Sequence, residues 1–243
     1  MKNYILIAAI AVSAIAALGG GYYYYLQNSS ASITVMYDIT DPTETTHDTS
    51  DVPMHIAQYT SEWGATSVRF LAISDFKKNK ASVLSIPAAF PLTSNPYARK
   101  RSLQAANQSI LKEFNDLIGQ DTGRTQSIVY LPIAAELNRL ATSGAHTKEL
   151  IVYSDLQEND KATFSSYRDA DTMLLQKDHD KIQALFEKEI VLGNLKGITL
   201  YFVFDAKTPS DQDHFLVMAH LWEHIFMAHG IDKVIISPNL PTN

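Results

Sequence analysis

The sequence predicts an α/β domain in three layers: a doubly wound, mostly parallel six-stranded sheet with one antiparallel edge hairpin, preceded by an N-terminal transmembrane helix. Three observations predict it. Short apolar runs rich in β-branched residues alternate with longer amphipathic stretches, as they do in a parallel sheet covered by helices. One pair of such runs is joined by a connection too short for a crossover, which makes those strands antiparallel neighbours. The chain also opens on a long apolar run without charge.

That opening run extends from Tyr4 to Leu26 and is long enough to cross a hydrocarbon core of roughly 30 Å as a helix. Tyr22, Tyr23, Tyr24 and Tyr25 close it, and tyrosine suits the membrane–water interface. Lys2 precedes the run and no Lys or Arg follows before Arg69, which places the N-terminus in the cytoplasm and the domain outside. Ala14–Ile15–Ala16 also resembles a signal-peptide cleavage site, so a processed N-terminus is the rival reading. The division expected is an anchor over 1–26, a polar linker over 27–32 and one domain over 33–243.

The elements follow in order. Ile33 to Asp38 is apolar and β-branched, a strand buried on both faces. A polar loop covers Thr40 to Asp51, and a short helix covers Val52 to Trp63. Ser67 to Ile73 and Ala81 to Ile86 are the hairpin strands, joined across the charged turn Asp75 to Lys80. Asn95 to Ile118 is a long helix, with Leu103, Ile110, Phe114 and Leu117 at helical spacing. A second helix covers Ile128 to Ala141, and Leu150 to Tyr153 is a strand ending at Ser154–Asp155. After a long polar segment come a helix over Asp178 to Ile190 and a strand over Gly197 to Phe204. A helix from Pro209 to His229 ends at Gly230, where a left-handed cap is expected, and Val234 to Ile236 is the last strand.

Composition narrows the function classes. Of 243 residues, 46% are hydrophobic and 19% charged, an ordinary folding composition. The net charge of −6, with no basic stretch longer than Arg99–Lys100–Arg101, argues against a nucleic-acid partner. The absence of cysteine excludes disulfides, thiolate metal sites, cysteine nucleophiles and lipoprotein attachment.

Two of the expected strands end in aspartate, at Asp38 and at Asp155, and in a parallel sheet both lie at the same edge. Two carboxylates with neighbouring hydroxyls make a hard oxygen site suited to Mg²⁺ or Mn²⁺. Strand-terminal aspartates also serve simply as caps of the loops that follow, and spacing alone does not separate the two roles.

The order of elements from Ile33 to Pro238, with its early antiparallel hairpin, resembles the von Willebrand factor A family. That family carries a metal-ion-dependent adhesion site. Its first element is Asp-x-Ser-x-Ser, its second a threonine between two middle helices, and its third an aspartate after the fourth strand. Here Asp38 matches the first position and Thr40 the second, whereas the third falls on Pro42, which has no ligand atom. Thr43 or Asp41 could stand in for it. The middle hydroxyl falls on Thr125 or Ser127, with Ser127 preferred for its distance from the helix at Pro132–Ile133. Ser154–Asp155 matches the last element. The resemblance implies a metal set of Asp38, Thr40, Ser127 and Asp155 holding Mg²⁺ or Mn²⁺, with an open position for an acidic residue of a protein partner.

A second motif competes. His220–Leu221–Trp222–Glu223–His224 reads as H-x-x-E-H, the inverted zinc-peptidase signature. The apolar stripe Phe215, Met218, Trp222, Ile225 and Phe226 leaves both histidines on the solvated face, and too little chain follows for a distant acidic ligand. Elsewhere, Phe164, Tyr167 and Arg168 in the long segment after Asp155 are interface-prone types, and Arg99–Lys100–Arg101 reads as the wet face of a helix. No glycine-rich phosphate loop or nucleophile–histidine pairing accompanies Asp38, so the expectation is a binding module and not an enzyme. The expected setting is a bacterial envelope, with adhesion or assembly as the task. The alternatives are a structural envelope-complex subunit whose site is a metal-free relic, and a metal-dependent hydrolase.

Overall fold

A computed structural model describes residues 12–13, 16–17, 19–25, 29–40, 51–73, 81–119, 127–160, 162–175 and 177–241. Six strands form one sheet: β1 (Ala31–Asp38), β2 (Thr66–Ile73), β3 (Ser82–Ile86), β4 (Thr147–Tyr153), β5 (Ile198–Val203) and β6 (Lys233–Ser237). The helices are α1 (Asp51–Tyr59), α2 (Pro96–Ile118), α3 (Tyr130–Thr142), α4 (Asp169–Leu175), α5 (His179–Phe186) and α6 (Pro209–Ala228). The strand order is β3-β2-β1-β4-β5-β6, with β3 antiparallel to β2 and every other pairing parallel.

Alternate side chains of the central strands feed two separate cores, as the two-residue strand period requires. Val35 and Tyr37 of β1 pack with Val52 and Ile56 of α1 and with Ile110, Phe114 and Leu117 of α2. Met36 faces the other way, into a larger core with Ile133 and Leu137 of α3, Phe186 of α5 and Trp222 and Phe226 of α6. Helices therefore cover both faces, and every residue of β1 is buried. Thr34, polar yet fully buried in that strand, donates to Glu136 of α3, which Arg69 and Arg139 also hold.

Several boundaries differ from expectation for identifiable reasons. β1 begins at Ala31, within the expected linker, because the Ala31 amide donates to the Ala65 carbonyl and the strand pairs on both sides from that point. β4 begins at Thr147, and Glu149, buried within it, is accommodated by hydrogen bonds with His55 and the Tyr201 hydroxyl. The long polar segment after Asp155 folds back through a bridge between Asn159 and Ser165 and carries the short α4. Phe164, expected at an interface, is fully buried against Phe186. Arg99, expected on a wet face, is also buried, and its guanidinium donates to the carbonyls of Glu62, Gly64 and Pro87. Gly230 takes the left-handed conformation at φ 82°, and its amide donates to Met227, which is the cap expected there.

Most of the expected anchor lies outside the described residues, and residues 19–25 are helical. Among the described residues no helix is long and apolar enough to cross a membrane. The charged turn at 75–80 likewise lies outside the described residues.

Candidate functional site

The strand order places a switch point between β1 and β4: the chain first winds outward from β1 to β2 and β3, then returns to the other side of β1. The crevice beyond the carboxyl ends of such strands is where an open α/β sheet offers loop side chains to a ligand. Asp38 is the last residue of β1, and Ser154 follows the last residue of β4.

Asp38 is buried and gathers hydroxyls from three segments. Its Oδ1 accepts from the Thr40 amide at 3.0 Å and the Thr40 hydroxyl at 2.6 Å. Its Oδ2 accepts from Ser127 at 3.0 Å and Ser154 at 2.9 Å. These partners include no cationic group. Burial pushes the Asp38 carboxyl above the ordinary carboxylate range, and the hydrogen bonds of Thr40, Ser154 and Ser127 pull against that shift.

Three of the residues expected from sequence, Asp38, Thr40 and Ser127, are thus in mutual contact. Asp155 stands at the same sheet edge, half-buried, and its Oδ1 accepts from the Gln157 amide at 2.9 Å. Asp41, Pro42, Thr43 and Thr125 lie outside the described residues. Ser154 supplies the hydroxyl that sequence reasoning passed over in favour of its neighbour. The sequence carries it in the Ser154–Asp155 pair, but the strand end alone does not say which of the two meets Asp38.

Glu158 is the second residue that sequence reasoning missed. It is fully buried, and its Oε2 accepts from the amides of Val129 and Tyr130 at the start of α3. Val129, the N-cap, has no side-chain oxygen of its own, so a carboxylate from another loop satisfies the first helical amides. Its other oxygen, Oε1, has no hydrogen-bond partner among the described residues. Burial raises this carboxyl to about 8, against the pull of the two amides and with some help from the charges of Asp160 and Asp38. Nothing in the local sequence marks Glu158, because its partners lie on a different segment.

The turn between Asp155 and Glu158 is held under strain. Leu156 has φ 62°, a left-handed conformation that costs a branched residue about 1–2 kcal/mol. The Ser154 hydroxyl accepts from the Leu156 amide, and the Trp222 indole donates to the Leu156 carbonyl at 3.2 Å. Trp222 is thus a core residue whose one polar atom holds the turn that follows Asp155.

In donor type the arrangement fits a hard divalent cation: one carboxylate and three hydroxyls converge, with a further carboxylate on the residue after Ser154. In ligand number it is sparse. Among the described residues no group of three or more His, Asp and Glu side chains is placed to hold a metal ion. His220 and His224 are exposed on α6, where His220 pairs with Glu223 and His224 with Asp180.

The single antiparallel edge strand, the strand order and the carboxylate–hydroxyl cluster at the switch point together fit a von Willebrand factor A-like α/β architecture. No family model matches the chain, and no curated protein matches it. A solved structure of an aerotolerance-related membrane protein from Bacteroides fragilis NCTC 9343, carrying multiple mutations to serines, is similar over 87% of this chain and 92% of its own, at 8% identity and a TM-score of 0.35.

Proposed function

We propose that this chain is a membrane-tethered protein-binding module that takes its partner at a divalent-cation site formed by Asp38, Thr40, Ser127 and Asp155, with Ser154 as an added ligand. The observation that supports this reading is the Asp38 carboxylate, buried at the switch point among hydroxyls from separate segments and without a cationic partner in its hydrogen bonds. Mg²⁺ or Mn²⁺ would supply the missing positive charge there, and one open position would accept an acidic side chain from the partner. The tether is the charge-free run from Tyr4 to Leu26, with the domain on the outer side of a bacterial membrane.

A cation that binds only the folded chain stabilises it by mass action. At about ten times its dissociation constant, Mg²⁺ or Mn²⁺ should raise the melting temperature of the full chain in detergent by roughly 3–5 °C. Asp38→Ala should abolish the rise, and a captured partner should be released by EDTA and by Asp155→Ala. A melting temperature indifferent to both cations, with partner capture indifferent to EDTA, overturns the metal-dependent reading.

One observation favours a second reading, in which the chain is a structural envelope subunit with a metal-free site. Thr40, Ser127 and Ser154 already satisfy both oxygens of Asp38 without any ion. The same melting experiment separates the two.

A further inference from the structure

The end of the sheet opposite the crevice carries an apolar corner that the proposed binding reaction does not use. From Ala81 to Ala98 the chain has no charged residue. After β3 this stretch runs as an open loop, Pro-Ala-Ala-Phe-Pro-Leu, into the start of α2. Leu92 is 86% exposed and Tyr97, in the first turn of α2, is 81% exposed. Lys100 and Arg101 are exposed one helical turn beyond Tyr97, on the same face of α2.

Hydrogen bonds tie the corner together, and it touches the end of the tether. Arg99 ties Pro87 to Glu62 and Gly64, and the Ala89 amide donates to the Trp63 carbonyl. The Tyr22 hydroxyl donates to the Ala89 carbonyl at 3.0 Å, and its ring meets Phe90 edge-on at 4.4 Å. The Tyr25 hydroxyl lies 3.4 Å from that of Ser61. Tyr22 is near the outer end of the apolar run, so whatever packs against it sits at the depth of the membrane–water interface.

We propose that Phe90, Leu92 and Tyr97, together with the Tyr22–Tyr25 turn, form a second membrane contact in which the loop enters the lipid interface and Lys100 and Arg101 meet the headgroup phosphates. The inference rests on the membrane-tethered reading and deepens it: the domain is seated on the bilayer in one orientation and does not swing on its linker. The residue types and their order suit that role, with aliphatic Leu92 deepest, ring hydroxyls at the interface and cations on long stems beside them.

Because the chain has no cysteine, Leu92→Cys and, as a control on α1, the exposed Met54→Cys each create a unique site for a polarity-sensitive fluorophore. The full chain is reconstituted in phosphatidylethanolamine–phosphatidylglycerol vesicles and floated after an alkaline wash. The label at position 92 should emit to the blue and lose emission to nitroxides borne on the lipid acyl chains. The label at position 54 should do neither and should be quenched by aqueous iodide. Vesicles that float with a label at 92 open to iodide overturn the proposal and leave the tether standing. A label at 92 shielded from iodide but untouched by the nitroxides means that protein covers the corner, and also overturns it. Chain that fails to float overturns the tether and this contact together.

Discussion

At Glu158 one buried side chain caps a helix and holds a proton. The folded carboxyl titrates near 8 against an ordinary 4.5, so its contribution to stability is fully present below about pH 4.5 and is lost as pH rises through about 8. Asp38, shifted upward by burial, acts in the same direction. Denaturant unfolding between about pH 5 and pH 9 should therefore show the metal-free protein weakening as pH rises. Glu158→Gln keeps an acceptor for the Val129 and Tyr130 amides but carries no charge. It should flatten most of that slope and be more stable than the parent at pH 8 by on the order of 4 kcal/mol. A variant with an unchanged slope would mean that Glu158 is ionised in the folded chain. Leu156 beside it illustrates the opposite economy, a strained backbone tolerated because its side chain is fully buried.

Helix α2 organises the apolar corner, and its start is well specified. The Asn95 side chain accepts from the Tyr97 and Ala98 amides, and Pro96 supplies the fixed φ of a first helical residue. Asn95→Ala should cost about 1 kcal/mol, read as a lowered unfolding midpoint with unchanged denaturant slope. Gly64 answers a different demand in the same region: an added Cβ would come within 2.1 Å of the Ser29 carbonyl oxygen, so the approach to β1 passes directly over it. At this scale the sequence was most legible. Continuous apolar, β-branched runs located the strands of the sheet, and Gly230 marked a helix end by local chemistry. It was least legible where the partner is remote. Arg99 reads as a solvated base until three carbonyls from two other loops meet it, and Phe164 reads as an interface residue until α5 closes over it. The candidate site divides in the same way: Asp38, Thr40 and Ser127 follow from strand ends and a motif, whereas Ser154 and Glu158 emerge only from the register that brings β4 beside β1.

For the whole molecule, the tethered reading makes a topological prediction. Protease added outside spheroplasts should digest the chain beyond Leu26, and protection of the entire chain would reverse the orientation. The parallel strands then acquire a direction relative to the lipid. The Tyr22 contact lies at their starting end and Asp38 at their finishing end, separated by the length of β1, about 25 Å. That standoff is some three times the screening length of roughly 8 Å in physiological salt, so the crevice is electrically blind to the headgroups beneath it. Capture of a partner should thus be indifferent to the anionic lipid content of the bilayer. Only a partner whose acidic side chain is itself raised to that height can reach the site from the same membrane.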